Sequence, residues 1–93
     1  MENNWIKTYT IIPAKIRHNA ELTANEKLIY SEILGLMNYL CTVIITKEVK
    51  TDIAGLYGIN LSAVTKAVNK FVRLGLIVPV GEEAEDYFLV KVI

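Results

Sequence analysis

Asn60, Ser62, Thr65, Lys66, Asn69, Lys70 and Arg73 fall within one short stretch. Wound into an α-helix, all but Asn60, which stands just ahead of its start, lie along one side. Lysine and arginine neutralise phosphates, while the short amides and hydroxyls of Asn, Ser and Thr donate to and accept from the polar edges of bases. That side is polar and basic, and no acidic residue of the stretch falls on it. The opposite side carries Val64, Ala67, Val68, Phe71 and, one turn on, Leu74, the spacing of a buried stripe.

The other reactive side chains form no constellation. Cys41 is the only cysteine, which leaves no internal disulfide and no cysteine-based zinc cluster. Set in Leu40-Cys41-Thr42-Val43-Ile44-Ile45, it reads as a small buried hydrophobe and not as a nucleophile. His18, the only histidine, reads as a surface or loop residue. The carboxylates fall at helix positions and in one turn, with no metal-ligand spacing and no glycine-rich phosphate loop beside them. The expectation is a protein that is not an enzyme and that uses no metal and no cofactor.

The elements that must position the polar side follow from turn and cap signals. A helix is expected from about Lys47 to Tyr57, and Gly58 stands where it must reverse, in a left-handed conformation that glycine reaches cheaply. Asn60 then reads as the N-cap of a helix over Leu61 to Leu74, its side-chain oxygen accepting from free N–H groups. Upstream, Thr23-Ala24-Asn25-Glu26 has the spacing of a capping box. Leu28, Ile29, Ile33, Leu36, Met37 and Leu40 follow at helical intervals, so a long first helix is predicted. Tyr30, Leu34 and Tyr39 widen its apolar stripe, which leaves two readings: a core helix touched on several sides, or a homodimer contact made with the N-terminal segment.

The remaining segments read as extended. Trp5-Ile6-Lys7-Thr8-Tyr9-Thr10-Ile11-Ile12, closed by Pro13, suits a short extended piece beside the C-terminal strands or across the first helix. Thr42 to Ile45 is a β-rich link. Gly75 ends the Leu61 helix, and Leu76 to Val80 and Tyr87 to Ile93 form a hairpin through the turn Gly81-Glu82-Glu83-Ala84-Glu85-Asp86. With 93 residues, 53% of them hydrophobic, the chain makes one domain with a real core. Formal net charge is zero, so bulk charge argues for neither nucleic acid nor membrane. No apolar run reaches bilayer length and no basic-then-apolar leader opens the chain, so a cytoplasmic location is expected.

In this order, the segments resemble the winged helix-turn-helix domains of phage and plasmid replication initiators, replisome organisers and DnaD-like proteins of low-GC Gram-positive bacteria. Ile12-Pro13 and Glu21-Leu22-Thr23-Ala24-Asn25-Glu26-Lys27-Leu28-Ile29-Tyr30 look like the family's opening, Asp52-Ile53-Ala54 and Gly58 like its helix-turn-helix, and Leu74-Gly75-Leu76-Ile77 like its lead into the wing. The resemblance implies an α+β, mostly α, single domain over residues 1–93. It would have an extended segment at 1–13, a three-helix core, a helix-turn-helix at 47–74 and a wing hairpin at 76–93. It also implies binding of double-stranded DNA, with the Leu61 to Leu74 helix in the major groove. Asn60, Ser62, Thr65, Lys66 and Asn69 would then face bases or nearby phosphates, and Lys70 and Arg73 the backbone. The expected role is that of a replication initiator or replisome-organiser domain, or of a small transcriptional regulator.

One departure opens a second reading. DNA-binding wings often carry cations at the tip, whereas this turn carries Glu82, Glu83, Glu85 and Asp86, which would oppose a phosphate backbone. Either the turn points away from the duplex, or the scaffold serves as a protein-interaction module whose acidic turn meets a replication or host protein, as in a phage-borne inhibitor, antirepressor or replisome adaptor.

Overall fold

A computed structural model describes residues 11–81 and 86–92. Its order is α1 (Ala14–Arg17), α2 (Ala24–Gly35), β1 (Thr42–Ile44), α3 (Lys47–Tyr57), α4 (Leu61–Arg73), β2 (Ile77–Pro79) and β3 (Tyr87–Val90). This is an α+β protein in which α2, α3 and α4 pack together against one small antiparallel sheet. Residues 1–10, most of the expected extended segment, lie outside the described residues, as do Glu82, Glu83 and Glu85.

Local chemistry accounts for the helix starts. At α2 the Thr23 hydroxyl accepts from the Glu26 N–H while the Glu26 carboxylate accepts from the Thr23 N–H at 2.8 Å, a complete capping box. The Thr46 hydroxyl caps α3 by accepting from the Val49 N–H at 3.2 Å. A short helix not anticipated in the sequence, α1, follows Pro13, whose missing N–H costs nothing at a helix start. It buries Ile16 against the core.

The first long helix ends sooner than its apolar periodicity suggests. Instead of continuing to Leu40, α2 stops at Gly35, and Leu36, Tyr39 and Leu40 are exposed. The reason is a turn organised by Asn38, whose side-chain oxygen accepts from the N–H groups of Leu40 and Thr42 and from the Thr42 hydroxyl. Cys41 sits in this turn with φ of 61° and is half-buried, so it is a turn residue and not the buried hydrophobe expected.

The sheet has three strands where the sequence suggested a hairpin. Its order is β1-β3-β2, with Val43 opposite Phe88 and Val78 opposite Leu89. The Thr42 to Ile45 link is therefore a strand, and pairing continues past its ends through Ile45 N–H to Asp86 O and Val90 N–H to Cys41 O. β2 and β3 are shorter than the expected segments. Pro79 is tolerated because β2 is an edge strand. Phe88 and Val90 point into the core, which also holds Ile29, Tyr30, Ile33, Ile53, Val64, Val68, Phe71 and Ile77.

Candidate nucleic-acid interface

α3 and α4 meet through a turn built by backbone conformation. Gly58 has φ of 64°, and the Ile59 N–H reaches back to the Ala54 carbonyl at 3.0 Å, which closes the end of α3. α4 closes in the same manner at Gly75, φ 75°: the Leu76 N–H bonds to Phe71 O and the Gly75 N–H to Val72 O. Between these ends Val64, Ala67, Val68 and Phe71 are buried, so the rotation of α4 about its axis is fixed by packing.

That rotation turns Ser62, Lys66, Asn69 and Arg73 to solvent as exposed residues, with Thr65 half-buried at the margin. Asn60 occupies the N-cap with extended backbone, but its side chain accepts no capping hydrogen bond, contrary to expectation. Its carbonyl instead accepts from Ala63 and Val64, and the exposed amide has no hydrogen-bond partner among the described residues. No acidic residue occupies the first turn of α4, and Lys70 and Arg73 occupy the last.

Lys70 differs from its neighbours. Its ammonium lies 2.9 Å from Glu26 Oε1, and the two side chains are 22% and 19% exposed, so this cation is half-buried and paired instead of projecting freely. The oxygen it meets is the one that accepts from the Thr23 N–H. Burial raises the Glu26 carboxyl, but the hydrogen bonds from Thr23 and Lys70, together with the lysine charge, outweigh it and hold the group below its ordinary 4.5. The sequence shows Glu26 as a cap. Its hold on a helix far along the chain has no local signal.

Two further cations stand on elements that sequence reasoning did not connect with α4. Lys27, beside Glu26, donates to the Arg17 carbonyl at 2.6 Å, and exposed Arg17 follows Ile16 in α1. Among the described residues nine are Lys or Arg and six are Asp or Glu, so this part of the molecule is cationic although the whole chain is neutral. Of the four carboxylates of the acidic turn only Asp86 is described; it is exposed, and its backbone carbonyl accepts from the Ile45 N–H. His18 is exposed at the end of α1. The described residues hold no cluster of three metal-ligating side chains and no helix long and apolar enough to cross a membrane. Compared with protein-family models, curated proteins and solved structures, the chain matches none.

Proposed function

We propose that this protein is a double-stranded DNA-binding module of winged helix-turn-helix type that lays α4 in the major groove. The observation that carries the reading is the division of α4 into a fully packed side, Val64 to Phe71, and an outward side of Ser62, Lys66, Asn69 and Arg73 that no other described element covers. The element order α2-β1-α3-α4-β2-β3 and the strand order β1-β3-β2 support it, since a winged helix places its recognition helix just before the hairpin. The unspent Asn60 amide and an α4 start free of carboxylates suit a helix whose N-terminal turn approaches phosphates or base edges.

In this reading Lys66 and Arg73 neutralise phosphates, and Asn60, Ser62, Thr65 and Asn69 reach base edges. Lys70 sets the tilt of α4 against α2 through Glu26 and meets the backbone only at its margin. The role that fits is a cytoplasmic one, in initiating or organising replication or in regulating transcription. A small reader of this kind commonly doubles its contacts by binding a palindrome as a homodimer, and α2 with the N-terminal segment is the surface proposed for that contact.

The test is fluorescence anisotropy of mixed-sequence duplex DNA with the full chain at low and moderate salt. Binding should weaken with salt. Lys66→Glu/Arg73→Glu should reduce affinity at least about tenfold and lower the log–log salt slope by about 2, one for each phosphate no longer neutralised. These side chains are exposed, so thermal unfolding should be unchanged in the variant. No binding at low salt, or an unchanged slope in the variant, would remove α4 as the reading surface.

A further inference from the structure

Between the C-terminal half of α2 and the outer side of α3 runs a groove of about 140 Å³, lined by Glu32, Leu36, Val49, Asp52, Ile53 and Leu56. Ile53 forms its floor, whereas Leu36 is 53% and Leu56 67% exposed, an unusual exposure for two leucines flanking one groove. Carboxylates stand on both walls and no described cation lines it. Glu32 accepts from the Tyr57 hydroxyl at 2.6 Å, a bond that joins the α2 wall to the end of α3. Glu48 lies one turn before Asp52 on α3, a like-charge spacing that works against the helix unless a cation comes between.

We infer that this groove receives an amphipathic helix of a partner protein, with an apolar ridge seated between Leu36 and Leu56 and flanking lysines or arginines against Asp52 and Glu48. The charge pattern chooses the occupant. A second copy docking the same face about a two-fold axis would bring carboxylate against carboxylate, because such an interface is self-complementary in position and not in sign. An apolar ridge with cationic flanks satisfies both the leucines and the acidic α3 wall. The groove is also separate from the α4 surface. Glu26 ties α4 to the first turn of α2, whereas Leu36 caps its other end, about 15 Å away along the helix, so both surfaces can be occupied together. The inference does not depend on DNA being the ligand of α4.

The experiment titrates the full chain, with labelled leucine and valine methyls, against two synthetic helices. Both carry leucines at i, i+3 and i+7, with lysine flanks in one and glutamate flanks in the other. The expected result is saturable shifts of the Leu36 and Leu56 methyls with the lysine helix, and binding at least about tenfold weaker with the glutamate helix. Leu56→Lys and Asp52→Lys, both at exposed positions, should each weaken the lysine helix at least about tenfold while leaving the circular dichroism melt unchanged. Equal binding of both helices, no shift at Leu36 and Leu56, or undiminished binding to the variants would overturn the inference. So would either rival occupant: a concentration-dependent dimer in sedimentation that Leu56→Lys abolishes, or movement of the same methyls when residues 1–10 are deleted.

Discussion

Glu26 uses one oxygen for two purposes: it closes the capping box of α2 and receives the ammonium of Lys70 from α4. Because these contacts favour the ionised form, the folded chain releases the Glu26 proton more readily than the unfolded chain. The stabilisation is therefore present above the ordinary carboxyl value and is lost as pH falls through the lowered one. Glu26→Gln keeps an oxygen for Thr23 but loses the charge, so its urea stability should fall less between about pH 7 and pH 3 than that of the parent chain. An equal acid sensitivity in the two would show that the pair contributes nothing to the pH dependence. The partnership was not legible in the sequence, where both residues read only by their local roles, Glu26 as a cap and Lys70 as one of a row of cations. The exposed members of that row were legible, because a helix whose buried residues are known leaves few orientations for the others.

The succession of α3 and α4 was legible for a related reason. Gly58 and Gly75 act on their immediate neighbours, so their chemistry fixes the ends of α3 and α4 without help from elsewhere, whereas the Thr46 cap, equally local, was not read from the sequence. The end of α2 was not, because the apolar spacing runs on through Leu36 and Leu40 while the Asn38 turn and the pairing of β1 with β3 take the backbone another way. The third strand escaped notice for the same cause: three residues acquire strand character from a partner far along the chain. Three substitutions separate local backbone effects from recognition. An added Cβ at Gly58 meets no atom within 4 Å, so Gly58→Ala should destabilise by the backbone term alone, about 1–2 kcal/mol in urea unfolding. Thr46→Ala should cost about 1 kcal/mol by loss of a working cap. Asn60→Ala, at a cap position that makes no side-chain bond, should stay within about 0.5 kcal/mol. If that last substitution weakens DNA binding while leaving stability alone, the amide serves a ligand; if it costs as much as Thr46→Ala, it serves the helix.

Across the whole molecule, the helical layer and the sheet are joined at Tyr30. Its ring packs edge-on to Phe71 with centroids 5.1 Å apart, and its hydroxyl lies 3.0 Å from the Leu76 carbonyl before β2 and 2.9 Å from the Val92 carbonyl after β3. Tyr30→Phe should cost about 1–3 kcal/mol, because buried carbonyls lose a donor while the ring contact survives. Burial, partly offset by the bond to Val92, pushes the phenol up to about 12, so folding favours its neutral form. This contribution is whole below the ordinary value of 10 and disappears as pH rises through about 12. Alkaline unfolding followed by circular dichroism should be shallower over that interval in Tyr30→Phe; a parallel curve would assign the alkaline loss to other groups. The strand order carries a consequence of another kind. Among the described residues β1 and β2 pair only with β3, and β3 is the last of the three in the chain. On a ribosome, α2, α3 and α4 can emerge and begin to associate, but among the described residues neither earlier strand has a pairing partner until Tyr87–Val90 clears the exit tunnel. Synthesis that stalls before that point leaves two unpaired strand segments exposed to other chains, which makes the emergence of β3 the step that protects this sheet from aggregation.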